Sequence, residues 1–179
     1  MLTRYEVLEL IGTPKLPEKG SELIFHQNTV DNIYKLKSAE DESIKFKVDL
    51  TQHKQISLKL SCHHRDGSNF GLLRIDYNGP KHRNPQIITS EVPNILHNYA
   101  GYEIKPRESH IHIYVEGEKL NWAIPLKDFS TFTEAERDGI SVAQIDINNH
   151  TDKLDAVKSF ANSIHIQAKI STDGGLIFN

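Results

Sequence analysis

Ile44-Lys45-Phe46-Lys47-Val48-Asp49-Leu50 alternates apolar and charged residues at every step. A period of two belongs to a strand with one face buried and one face wet. The same alternation returns twice. Ile56, Leu58, Leu60 and Cys62 alternate with Ser57, Lys59, Ser61 and His63, and Leu73, Ile75 and Tyr77 alternate with Arg74, Asp76 and Asn78. The connections Arg65-Asp66-Gly67-Ser68 and Asn78-Gly79-Pro80 are built from turn-forming residues. Consecutive strands with such links read most simply as an antiparallel meander.

Outward from this meander, His110–Val115 and Lys119–Leu126 read as two more strands, and Glu116-Gly117-Glu118 joins them as a hairpin. Pro125 belongs at a strand end or edge. On the N-terminal side, Leu2, Val7, Leu8 and Ile11 fall at helical intervals after Thr3, a residue suited to capping. Leu23, His26, Val30, Ile33, Tyr34 and Leu36 give a second helical candidate over 22–36, although Thr29 and Val30 lower its propensity. Gly79–Arg107 is less regular and contains a helical turn near Pro93–Tyr99. Thr133–Arg137 reads as a turn, and Val142–Ile147 as a short strand. Thr151 caps a helix carrying Leu154, Val157, Phe160 and Ala161. Alternation resumes over Ile164–Ile170, and Leu176–Phe178 reads as a last strand.

These elements predict an α+β fold in a single domain, 1–179, with a helical N-terminal segment, 1–43, and a sheet-rich core, 44–179. The sheet is expected to be mainly antiparallel and strongly curled, with N-terminal helices and a helix at 151–161 on one face.

Composition sets the outer bounds. The 179 residues are 37% hydrophobic and 25% charged, with one cysteine, Cys62, so no disulfide can form within the chain. No stretch approaches the roughly 20 apolar residues of a membrane helix. The opening residues lack the basic and apolar regions of a secretory signal. A cytoplasmic protein without membrane attachment is the expectation. The net charge is -3, but residues 44–112 hold 10 basic against 6 acidic side chains and seven of the ten histidines. A protein that coats bulk nucleic acid is usually clearly basic, and this chain is not. There is no phosphate-binding glycine loop, no GxGxxG, no GxSxG and no HExxH. ATPase, dinucleotide-dependent dehydrogenase and α/β-hydrolase chemistries are disfavoured accordingly.

The chemistry-bearing stretch is His110-Ile111-His112-Ile113-Tyr114. As a strand it sends His110, His112 and Tyr114 to one side and the aliphatic residues to the other. Arg74 and Asp76, and Lys59, Ser61 and His63, take the polar sides of their own strands. Gly79-Pro80-Lys81-His82-Arg83 leaves the Arg74/Asp76 strand as a loop that can carry His82 and Arg83 over the sheet.

Three uses of this set follow. The leading one is a small protein that binds RNA or nucleotide phosphate, acting as a metal-independent ribonuclease. His110 or His112 serves as base or acid, His82 as the complementary group and Arg74 as the phosphate clamp. Lys59, His63, Asp76, Arg83 and Tyr114 then contact the ligand, and no metal or cofactor is required. The alternatives are a divalent-metal site built on His110 and His112 with His82, His63 or Asp76, and a non-enzymatic protein-interaction or inhibitor module, including a homo-oligomer. Against all three stand plainer roles. An HxH pair is often a hydrogen-bonded strand face, Arg74/Asp76 a surface pair, His82 a turn-holding residue and His63-His64 a polar hairpin end. Trp122, Tyr77 and Cys62 read as core.

Overall fold

A computed structural model describes residues 1–52, 60–147 and 150–173. The chain runs α1 (Arg4–Gly12), β1 (Lys15–Pro17), β2 (Glu22–Phe25), β3 (Asp31–Ser38), β4 (Lys45–Gln52), β5 (Leu60–Asp66) and β6 (Gly71–Tyr77). An excursion follows with β7 (His82–Arg83), α2 (Asn94–His97) and β8 (Glu103–Ile104). Then come β9 (His110–Val115), β10 (Lys119–Pro125), α3 (Leu126–Phe129), α4 (His150–Ser163) and β11 (Lys169–Thr172).

Seven strands form one antiparallel sheet in the order β1-β3-β4-β5-β6-β9-β10. The meander β3–β6 and the hairpin β9–β10 arise where alternation and turn chemistry place them. Asp66 organises one turn by accepting from the backbone N–H of Ser68 at 2.9 Å and of Phe70 at 2.8 Å. The buried side of the sheet carries Phe46, Val48, Leu50, Cys62, Ile75, Ile111, Ile113 and Trp122. Val7 and Ile11 of α1 and Val157 and Phe160 of α4 join the same core. No helix among the described residues is long and apolar enough to cross a membrane.

The expected curl of the sheet is not found. It is an open sheet whose end strands, β1 and β10, do not meet. Two helices fill its apolar face, and a sheet closed on itself would have to fill that space with its own side chains. The edges are also stopped locally. β1 is three residues long and ends in Pro17, which cannot donate to a further strand. On β10, the Asn84 side chain accepts from the Ala123 N–H at 2.8 Å and donates to the Ala123 carbonyl at 2.8 Å.

The second N-terminal helix, over 22–36, is also overturned. Those residues form β2, a turn and β3. The helical spacing of Leu23, Val30 and Ile33 competes with a period of two in Asn32, Leu36 and Ser38, which are buried while Asp31, Ile33 and Lys35 are exposed. Pairing of β3 with both β1 and β4 settles the choice, because seven residue pairs with β4 outweigh a weak local helix preference. β2 instead pairs in parallel with β11. The strand expected over Ile164–Ile170 is confined to β11, and Val142–Ile147 forms no strand. Ile56–Lys59 and Leu176–Phe178 lie outside the described residues.

Helix α1 is closed by a capping box, with Thr3 and Glu6 exchanging side-chain and backbone hydrogen bonds. Just beyond it Lys15 is fully buried. Its ammonium donates to the carbonyls of Ile11 at 2.9 Å, Thr13 at 2.7 Å and Ile164 at 2.9 Å, and lies 4.6 Å from the centre of the Phe46 ring. The C-terminal ends of α1 and α4 thus converge on one cation, where the helix dipoles favour positive charge. Burial pushes this amine down to about 7. His64, expected at a polar hairpin end, is instead fully buried against Phe46. It follows Val48 in register onto the core face, and burial holds its imidazole well below the ordinary value.

Candidate metal centre

The sheet register builds the centre. β6 and β9 pair so that Asp76 lies across from His110 and Arg74 across from His112. Alternation puts all four on one face, opposite Ile75, Ile111 and Ile113. The excursion from Gly79 to Arg107 then closes over that face. Gly79 is essential to the closure, since a Cβ there would come within 2.7 Å of both the Asp76 Cβ and the His110 Cε1. As a result His110 and Asp76 are buried at 0% and 1% exposure, and His112 at 5%.

The hydrogen bonds fix both imidazoles. His110 Nδ1 lies 2.8 Å from the Glu108 carbonyl, and His112 Nδ1 lies 2.9 Å from the Leu120 carbonyl. A carbonyl only accepts, so Nδ1 carries the proton in each ring and Nε2 of the neutral ring bears a lone pair. Both Nε2 atoms face the same carboxylate oxygen. Asp76 Oδ2 is 3.5 Å from His110 Nε2 and 3.3 Å from His112 Nε2. His110 Nε2 has no hydrogen-bond partner. Three acceptors therefore converge in a buried place, and none of the three can donate to another. Arg74 reaches the carboxylate from outside, with Nε 3.0 Å from Oδ1 and Nη2 2.8 Å from Oδ2.

This geometry suits a divalent cation. The three ligand atoms lie within 4.8 Å of one another. A tetrahedral zinc with bonds of roughly 2.0–2.1 Å keeps its ligand atoms roughly 3.3–3.4 Å apart, close to the separations of Asp76 Oδ2 from the two rings. Histidines that bind metals commonly donate their other N–H to a carbonyl, as both do here. Burial alone would raise the Asp76 carboxyl, but a ring of His110 or His112 that carries a second proton, together with the Arg74 guanidinium, holds it below the usual carboxylate range. Burial lowers His112.

A metal-independent ribonuclease does not fit this geometry. Acid–base catalysis on a phosphodiester needs the two histidines to reach substrate, and His110 and His112 are sealed beneath the excursion with their free nitrogens on Asp76. Arg74 is engaged by Asp76 and is no open phosphate clamp. The sequence reading could not see this, because His110 and His112 look outward from β9 until the excursion is laid over them.

The other anticipated residues divide. His82 lies on β7 beside the centre, with ring centres 4.8 Å from His112 and 6.0 Å from His110. His63 sits next to Arg74 in register, but its Nε2 is turned against Gly71 and has no partner, and burial brings it down to about 4. Arg83 is exposed and pairs in register with Glu103. Tyr114 turns to the N-terminus, its hydroxyl donating to the Leu2 carbonyl and its ring packing on Phe70. Lys59 lies outside the described residues. Sequence reasoning missed Gly79 and Asn84. Asn84 is buried with both amide groups bonded, and nothing in its residue type announces that.

The chain matches no curated protein and no solved structure. Residues 2–166 match the model of a family of unknown function, DUF6978, a span that takes in the whole seven-stranded sheet and the His–Asp centre, and the chain belongs to that family.

Proposed function

We propose that this protein binds a divalent transition metal, zinc being the best fit, through Asp76 Oδ2, His110 Nε2 and His112 Nε2. The observation that carries the reading is the convergence of two buried, tautomer-fixed imidazole nitrogens on one carboxylate oxygen, with no donor between them. Two nitrogens and one oxygen make a borderline set suited to zinc and its first-row neighbours rather than to calcium or magnesium. Arg74 orients the carboxylate and offsets part of its charge, which moderates affinity.

A proton shared among the same groups is the competing occupant, since one imidazolium would also satisfy the carboxylate. Metal analysis of protein purified without a histidine tag separates the two, followed by zinc titration with thermal unfolding. A single equivalent of zinc, with a rise in Tm that is lost in H110A and H112A, is the expected result. No bound metal and no shift at any zinc concentration would sink the metal reading and leave a proton-bridged structural cluster.

A further inference from the structure

Resting on the metal reading above, we infer that His82 is a fourth ligand and that the centre is a closed structural site, pinning the excursion of residues 79–107 onto the sheet.

His82 carries the same tautomer logic as the two strand histidines. Its Nε2 is 3.0 Å from Asn84 Oδ1 and 3.0 Å from the Asn121 carbonyl. The Asn84 amide cannot be turned over. Its oxygen already accepts from the Ala123 N–H, and its nitrogen donates to the carbonyls of Tyr99 at 3.0 Å and Ala123 at 2.8 Å. Both neighbours of His82 Nε2 are therefore acceptors, and Nε2 must carry the proton. Nδ1 is left with a lone pair. Three imidazoles thus pack together, each with one nitrogen tied to a protein oxygen and the other bare.

His82 stands outside the three residues whose ligand atoms lie within 4.8 Å of one another. Its ring is nonetheless in edge contact with His112, and it sits on a two-residue strand that pairs with β8. Closure needs the ring to swing toward Asp76 about its bonds to Asn84 and the Asn121 carbonyl. Three imidazoles and a carboxylate complete a tetrahedron, and four protein ligands mark a structural rather than a catalytic zinc site. The burial of Asp76, His110 and His112 agrees, because it keeps the three inner ligands away from bulk water. The same loop also places Asn84 on the edge of β10, so metal binding and edge protection are coupled through residues 82–84.

Cobalt(II) is the probe, added to the full chain. The wild type should show the strong visible absorption of four-coordinate cobalt. H82A should bind cobalt at least about tenfold more weakly, with absorption reduced as water enters the vacated position, and millimolar imidazole should restore the band. R83A, altering the exposed neighbour, should leave spectrum and affinity unchanged. Should H82A fail to fold, electron spin-echo modulation of the copper(II)-loaded wild type counts the bound imidazoles directly. Three support the inference. Equal cobalt affinity and spectrum in wild type and H82A, or two imidazoles on copper, would overturn the fourth ligand while the metal reading stands. Failure of the wild type to take up either ion would remove both.

Discussion

Two polar clusters are sealed inside this protein, and they are complementary in an instructive way. At Lys15 a cation is supplied by the chain and three carbonyls accept its three N–H groups. At Asp76, His110 and His112 the chain supplies acceptors, and the nearest cation, Arg74, bonds the carboxylate but leaves His110 Nε2 without a partner. The first cluster is complete as folded, and the second calls for an ion. The contrast teaches that burial by itself says little about function. What matters is whether donors and acceptors balance.

The largest effect should come from breaking the balanced cluster. Lys15→Met leaves the carbonyls of Ile11, Thr13 and Ile164 buried without a donor, and should cost about 3–5 kcal/mol in urea unfolding. A loss below about 1 kcal/mol would show that the carbonyls find other partners. The unbalanced cluster should respond to addition instead. Zinc at about 100 times its Kd should stabilise the wild type by about 2.7 kcal/mol and do nothing for H110A. Equal stabilisation of both would place the ion elsewhere.

A smaller effect tests the roof of the centre. Gly79→Ala drives a methyl group into Asp76 and His110 and should cost about 1–3 kcal/mol, together with a loss of zinc affinity. Unchanged zinc affinity in G79A would show that the excursion can lift without disturbing the ligands. The most gradual effect is in pH, modest per unit although it accumulates across its window. With Lys15 near 7 when folded and at its ordinary 10.5 when unfolded, the unfolded chain binds more protons between those values. Stability should then rise with pH across that window, by at most about 1.4 kcal/mol per pH unit, and the contribution is lost as pH falls towards 7. K15M should abolish this slope. A flat profile in the wild type would mean that the three carbonyls hold the amine charged throughout.

Much of the sheet was legible because strand alternation is a local property. The steric period of two fixes which side of β4, β6 and β9 is apolar before any partner is known, and Asp66 and Glu116-Gly117-Glu118 mark their turns in residue types alone. The 22–36 segment misled because its apolar residues satisfy both a helical and an alternating reading, and only the neighbouring strands choose between them. The open sheet was equally hidden. Nothing local in β10 reveals that an amide from Asn84 will take the place of a further strand.

The candidate centre divides along the same line. Residue order alone put His110 and His112 on one face of a strand, Arg74 and Asp76 on one face of another, and His82 on a loop between them, because side-chain direction along a strand is set by the backbone. That these faces adjoin, that Asp76 stands opposite His110 in register, and that the excursion covers them came from the fold. Register and burial depend on contacts between residues far apart in the chain. The same depth that removed the histidines from substrate also left their nitrogens facing a carboxylate without a donor, and that imbalance is what points to a metal.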